Sequence, residues 1–177
     1  MAASRSAPVE VVLSELASPV GTLTLAGVKD VLYYIAFDTE TGREELDAFL
    51  RRYLRSFEYT RDAAPHAKAH RELEQYFAGK LRRFTTKMHL LGTQFQLQVW
   101  TALRMIPYGT TTTYKHVATD VGNPDATRAV GGAVGRNPIP VIIPCHRVIG
   151  ESGNLVGFGG GIERKKKLLQ LEGAILV

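Results

Sequence analysis

The 177-residue chain has a single cysteine, Cys145, and a single tryptophan, Trp100. One thiol excludes an internal disulfide and any multi-thiolate metal cage, and it suits a reducing compartment. Long apolar runs are missing too. Hydrophobic residues make up 45% of the chain, yet no stretch approaches the roughly 20 residues of a membrane span. Residues 1–8 are small and polar, without the apolar block of a secretory signal. Acidic residues are in deficit, 17 against 22 Lys and Arg, for a net charge of +5. What remains is a composition for a water-soluble globular protein, long enough for one full domain or two small ones.

The charge excess is uneven. Residues 1–89 carry 13 Lys/Arg against 12 Asp/Glu, whereas 90–177 carry 9 against 5. A basic C-terminal half suits a polyanion such as nucleic acid, although charge alone does not select one.

Apolar patterning divides the chain in the same place. Residues 9–16, 22–25 and 31–37 read as three strands of an antiparallel meander, interrupted at Pro19 and Gly27. Leu46, Phe49, Leu50, Tyr53, Leu54 and Phe57 recur at helical spacing, predicting a helix over 46–57. A second helix is expected over 66–78, stopped by Gly79, followed by an extended stretch over 81–91. Beyond Gly92, Thr93 is placed to cap a helix carrying Phe95, Val99, Trp100 and Leu103, which Pro107-Tyr108-Gly109 ends. Helices over 114–121 and 125–135, joined at Gly122-Asn123-Pro124, have the helix-turn-helix layout. A short buried strand over 139–143 and a last helix over 162–172 complete the reading.

Two stretches carry chemistry. A free cysteine is most often a small buried hydrophobe. Cys145, however, follows an apolar segment closed by Pro144 and precedes His146 and Arg147, a base and a fixed cation that favour the thiolate. Neighbours on a regular strand point to opposite faces, so a turn or a bridging water must bring His146 to Cys145. The second stretch is the recognition helix, Ala129, Gly131, Gly132 and Gly135 around a lone Arg128. Each interior glycine costs a helix roughly 1 kcal/mol relative to alanine. Tight helix packing is one reason to accept that; close approach of backbone to a nucleic-acid groove, with Arg128 filling the base stack, is the other.

Ile143-Pro144-Cys145-His146-Arg147-Val148 resembles the active-site signature of the O6-alkylguanine-DNA alkyltransferases, also called methylated-DNA–protein-cysteine methyltransferases. Phe95-Gln96 with Val99-Trp100, Ile106-Pro107-Tyr108-Gly109, Thr113-Tyr114, Arg128-Ala129-Val130-Gly131, Asn137-Pro138 and Gly157-Phe158-Gly159-Gly160-Gly161 fall in the family's order. Ser18-Pro19-Val20-Gly21 is similar to its N-terminal hairpin.

The resemblance implies an α+β protein: a ribonuclease-H-like N-terminal α/β domain over 1–89, then a winged-helix domain over 90–177 for DNA binding and chemistry. It implies irreversible, single-turnover transfer of an alkyl group from O6-alkylguanine in double-stranded DNA to Cys145, after base flipping. His146, through a water, would take the thiol proton and Glu172 would orient it. Asn137 would tie the recognition helix to the active-site turn, and Tyr114 would hold the flipped base. Val148 and Cys145 would accept from guanine's exocyclic amine through their carbonyls, and the Gly159 amide would reach O6. Ala129 and Gly131 would give the helix its small DNA-facing side, beside Arg128. No cofactor, no metal and no membrane are expected. The expected state is a monomer, with cooperation on DNA left open, in the cytoplasm at the nucleoid or in a eukaryotic nucleus.

Phe158 departs from the tyrosine many members carry, and the zinc-binding cysteines and the fused phosphotriester-repair domain of some members have no counterpart. His66 and His70, four apart, are read as solvated helix-face residues rather than metal ligands. Two other classes compete. A lesion-flagging alkyltransferase-like binder would lack the cysteine. A cysteine hydrolase would draw its base from a distant segment.

Overall fold

The computed structural model describes residues 7–174, so most of the polar N-terminal stretch lies outside the described residues. Its first half is a four-stranded sheet in the order β3-β2-β1-β4. β1 (Val9–Leu16), β2 (Leu23–Val28) and β3 (Val31–Phe37) form the expected antiparallel meander. The register shifts at Ala26/Gly27. A Cβ on Gly27 would meet the Val31 carbonyl oxygen at 2.2 Å, so only glycine fits there.

One strand was not foreseen. β4 (Phe57–Arg61) lies parallel to β1, pairing Val9 with Phe57 and Leu13 with Arg61. α1 (Gly42–Tyr53) therefore stops earlier than its apolar spacing predicts. Phe57 continues the helical spacing by coincidence, since its ring packs on the same small cluster from the sheet edge. That cluster, Val11, Leu13, Ala26, Leu46 and Leu50, joins α1 to one face of the sheet.

The other face, with Leu23, Leu25, Leu32, Ile35 and Phe37, packs on α2 (Ala67–Phe77) and on the C-terminal half in one continuous core. A short 3₁₀ turn, Ala64–His66, leads into α2. His66 is only 2% exposed, which corrects its reading as a solvated residue. Ser14 Oγ lies 2.8 Å from His66 Nδ1 and 2.9 Å from His70 Nε2. Among the described residues no group of three or more His, Cys, Asp or Glu could hold a metal ion.

The stretch after α2 is not a regular strand; it touches the sheet only through the Leu32–Met88 bridge. Glu72 holds it instead, accepting from the backbone N–H groups of Thr85 and Thr86, each at 2.9 Å. Side chain-to-backbone bonds of this kind leave no periodic trace in the sequence.

In the second half, α3 (Gln94–Leu103) opens with a full capping box between Thr93 and Gln96. β5 (Thr112–Thr113) leads to α4 (Tyr114–Asp120), capped by the Thr113 side chain, and then to α5 (Thr127–Gly135). Gly122, at φ +76°, makes the turn between those two helices. α3 docks on α5 through Trp100, whose Nε1 donates to the Ala133 carbonyl at 2.9 Å. β6 (Val148–Ile149) pairs in parallel with β5, and α6 (Ile162–Leu171) closes the fold.

The expected strand over 139–143 is absent. Prolines 138, 140 and 144 remove ladder donors, and Val141 sits at φ +72°, in the left-handed region. A β-branched residue held there is strained by about 1–3 kcal/mol. The segment is buried because it is wedged between α5 and the sheet, and the Ile35 N–H reaches across to the Pro138 carbonyl at 2.8 Å.

A cysteine–histidine–glutamate site beside the helix-turn-helix

After Pro144 the chain turns into a 3₁₀ segment, Cys145–Arg147. That turn removes the difficulty a strand would pose, because successive side chains no longer alternate between two faces. Cys145 (5% exposed) borders a cleft of about 420 Å³ between α1, β3 and the C-terminal half. Asn137, Pro140, Phe158 and Gly159 line the same cleft. Asn137 bridges two segments: its Nδ2 donates to the Ile143 carbonyl at 2.8 Å and its Oδ1 accepts from Ile139 N at 3.0 Å. The end of α5 is thereby fixed to the turn that carries the thiol.

His146 is fully buried, and its Nε2 lies 2.8 Å from Glu172 Oε1. Glu172, at the C-terminus of α6, is buried as well rather than on the surface. Its carboxylate also accepts from Tyr76 Oη at 2.7 Å, from Arg147 Nε and Nη2 at 2.8 and 2.9 Å, and from Gly109 N at 3.2 Å. Burial alone would raise its pKa, but the bonds from His146 and Arg147 outweigh it and hold Glu172 ionised, well below the usual range. Facing that carboxylate, Nε2 carries the imidazole proton and Nδ1 is left with the lone pair. Nδ1 has no hydrogen-bond partner among the described residues. Burial depresses the His146 pKa, so the resting ring is neutral and able to accept a proton.

Burial pushes the Cys145 thiol up to about 11, opposed by the Asn137 side chain and by the charge of Lys165. The resting group is the thiol, and its proton must be moved before sulfur can act as a nucleophile. Arg147 does not supply the favouring charge expected of it, because its guanidinium is committed to Glu172 and to the Ile106 carbonyl.

Two residues of this site escaped the sequence reading, Tyr76 and Lys165. Lys165 sits on the buried stripe of α6 with Leu168 and Leu169 and is itself fully buried. A lysine three residues from the apolar Leu168 was the available signal. Its Nζ donates to the carbonyls of Val148 and Val156, each at 2.6 Å. Tyr114 Oη, from the start of α4, also donates to the Val156 carbonyl, at 3.1 Å. The Val148 carbonyl assigned to guanine thus already accepts one bond and has one lone pair left.

On the helix-turn-helix, Arg128 and Ala129 are exposed. Arg128 makes no side-chain hydrogen bond or ion pair among the described residues. A Cβ on Gly131 would come no nearer than 3.9 Å to Tyr114, and one on Gly135 would meet nothing within 4 Å. Packing within the protein therefore does not require those two glycines. Phe158 stacks at a tilt on Phe37, ring centroids 5.6 Å apart, and a Cβ on Gly159 would meet nothing within 4 Å.

The fold and site define a class: a sheet-based half docked on a helix-turn-helix half that holds a buried cysteine above a His–Glu pair. Residues 11–90 match the ribonuclease-like domain of 6-O-methylguanine DNA methyltransferase, and residues 94–174 match its DNA-binding domain. The methylated-DNA–protein-cysteine methyltransferase of Methanosarcina acetivorans is 45% identical over 157 residues, 89% of this chain and 95% of the relative. The crystal structure of Mycobacterium tuberculosis O6-methylguanine methyltransferase matches with a TM-score of 0.82 at 44% identity, covering 93% of each chain. The Mycobacterium tuberculosis protein OGT in complex with DNA matches with a TM-score of 0.80 at 44% identity, over 94% of each chain. The chain belongs to the 6-O-methylguanine DNA methyltransferase family.

Proposed function

We propose that this protein repairs DNA by direct reversal, moving the alkyl group of O6-alkylguanine onto Cys145 in one irreversible step. The observation that carries the reading is the junction at residues 145–147: a thiol on a cleft, next in sequence to a buried neutral histidine whose Nε2 is fixed by Glu172. The thiol proton passes to His146 Nδ1 through a water. Sulfur attacks the alkyl carbon, the carbon–O6 bond breaks, and guanine keeps the electron pair and is protonated. A nucleophile activated by a base that a third group orients is the arrangement of covalent catalysis. The thioether product has no route back, so each molecule acts once.

Double-stranded DNA is the partner, as it is for the Mycobacterium tuberculosis protein seen in complex with DNA. α5 lies along the groove with its small side, Ala129 and Gly131, against DNA, and Arg128 fills the vacated stack. Tyr114 holds the flipped base; the Cys145 and Val148 carbonyls and the Gly159 amide read its edge. The protein works as a monomer and needs no metal or cofactor.

Intact-mass measurement tests this reading. One equivalent of duplex carrying O6-methylguanine should add one methylene, about 14 Da, to the protein by covalent transfer, mapped to Cys145. Cys145→Ser should gain nothing while still binding DNA. Several turnovers per molecule, or label on another residue, would refute it.

A further inference from the structure

Lys165 is a fully buried lysine that forms no ion pair among the described residues. Isolated buried ammonium groups are costly, and they persist where a charge or strong dipoles compensate them. Here the only compensation at rest is carbonyl oxygen: Val148 and Val156 at 2.6 Å, with Gly157 at 3.5 Å. Val148 directly follows the 3₁₀ turn that carries Cys145, so the ammonium is held against that turn.

The other ionisable groups at the turn are already paired or neutral. Arg147 is matched by Glu172, His146 is neutral with its Nε2 on the same carboxylate, and Tyr114 is a phenol whose pKa burial raises further. Lys165 and Cys145 act on each other electrostatically, each stabilising the charged form of the other. When Cys145 loses its proton, Lys165 therefore holds the one positive charge at the site without a carboxylate partner.

We propose that Lys165 is the counter-charge of the Cys145 thiolate, a positioning residue that favours ionisation of the sulfur while its three carbonyl bonds fix the wall of the base pocket. The proposal deepens the alkyl-transfer reading and rests on it only for the identity of the substrate. Proton transfer to His146 turns S–H into S⁻ beside the Lys165 ammonium. Formation of the S–C bond then discharges the sulfur as the pair from the broken C–O6 bond leaves with guanine.

Two reactions of the full-length protein test it, both followed against pH: carboxamidomethylation of Cys145 by iodoacetamide, and single-turnover transfer from methylated duplex. Lys165→Met keeps the length and removes the charge. It should move the ionisation seen in both profiles upward by about one unit, a roughly tenfold rate loss at neutral pH. Affinity for unmodified duplex should stay within about twofold, as a buried group makes no phosphate contact. A variant that is merely less stable, with its folded fraction titrating at the wild-type pH, overturns the proposal. Should Lys165→Met not fold, NMR of labelled lysine ammonium groups replaces it. Cys145→Ser should then lower the pH at which Lys165 titrates, by reciprocity of the coupling, and an unmoved titration overturns the proposal. A shifted iodoacetamide profile in a protein whose wild type takes no alkyl group from DNA would sustain the counter-charge and reject the alkyl-transfer reading instead.

Discussion

At position 158 the ring of Phe158 packs on Phe37 and borders the cleft in front of Cys145. A tyrosine there would add a hydroxyl able to donate to O6 as negative charge builds on it. Such a bond strengthens mainly in the transition state, so it raises rate rather than ground-state binding. A neutral hydrogen bond contributes about 0.5–1.5 kcal/mol net. Phe158→Tyr is therefore expected to speed single-turnover transfer from a few-fold to roughly tenfold, with DNA affinity unchanged. A slower variant, or a gain confined to binding, would make residue 158 only a wall of the pocket. The residue scale also shows why charges near a thiol cannot be counted along the sequence. Arg147 is two positions from Cys145 and is neutralised by Glu172, whereas Lys165 is twenty positions away and unpaired.

Among the elements, α5 is the informative one. Three glycines weaken it, and two of them, Gly131 and Gly135, have room for a side chain. Gly131→Ala should stabilise the helix by up to about 1 kcal/mol, read as a higher melting temperature. If the small face exists to admit DNA, the same change should weaken duplex binding; unchanged affinity would remove that explanation. Arg128, at the N-terminal end of the same helix, has a separate test. Arg128→Ala should slow repair in duplex far more than reaction with the free modified base, because only the duplex demands flipping. Equal losses on both substrates would assign Arg128 to structure.

For the whole molecule, the two halves share one core and a few polar ties. Arg164 of α6 donates to the Val20 and Gly160 carbonyls and pairs with Asp38, clamping the glycine-rich loop to the N-terminal hairpin. Tyr76 of α2 reaches Glu172, so the sheet half contributes directly to the relay. The interior also makes the fold acid-sensitive. Burial, aided by the charge of His70, depresses His66 from 6.5 to about 4. Between those values the unfolded chain binds a proton that the folded one does not, so stability is full above pH 6.5 and declines as pH falls towards 4. Burial depresses His146 as well, and Glu172, held ionised by its partners, adds its loss below its ordinary pKa. Melting temperature should drop across pH 6.5–4, and His66→Gln should flatten that drop. Identical slopes for the two proteins would show that His66 is not its source.

The sequence alone determined what local chemistry can encode. The meander of β1–β3 follows from its β-branched and aromatic runs, the start of α3 from the Thr93–Gln96 box, and the turn between α4 and α5 from Gly122. The motif around Cys145 was legible for the same reason, being contiguous. Only the tertiary structure decided the rest. β4 pairs with a strand over forty residues earlier, which no periodicity records, and residues 139–143 are buried without being a strand because prolines leave them no ladder to join. Glu172 is an acid on a helix end until folding surrounds it with Tyr76, His146 and Arg147. His66, Tyr76 and Lys165 are ordinary residues of helical or turn segments until they are buried. Removal from water, with partners drawn from distant parts of the chain, sets their charge states, and sequence spacing carries no measure of either.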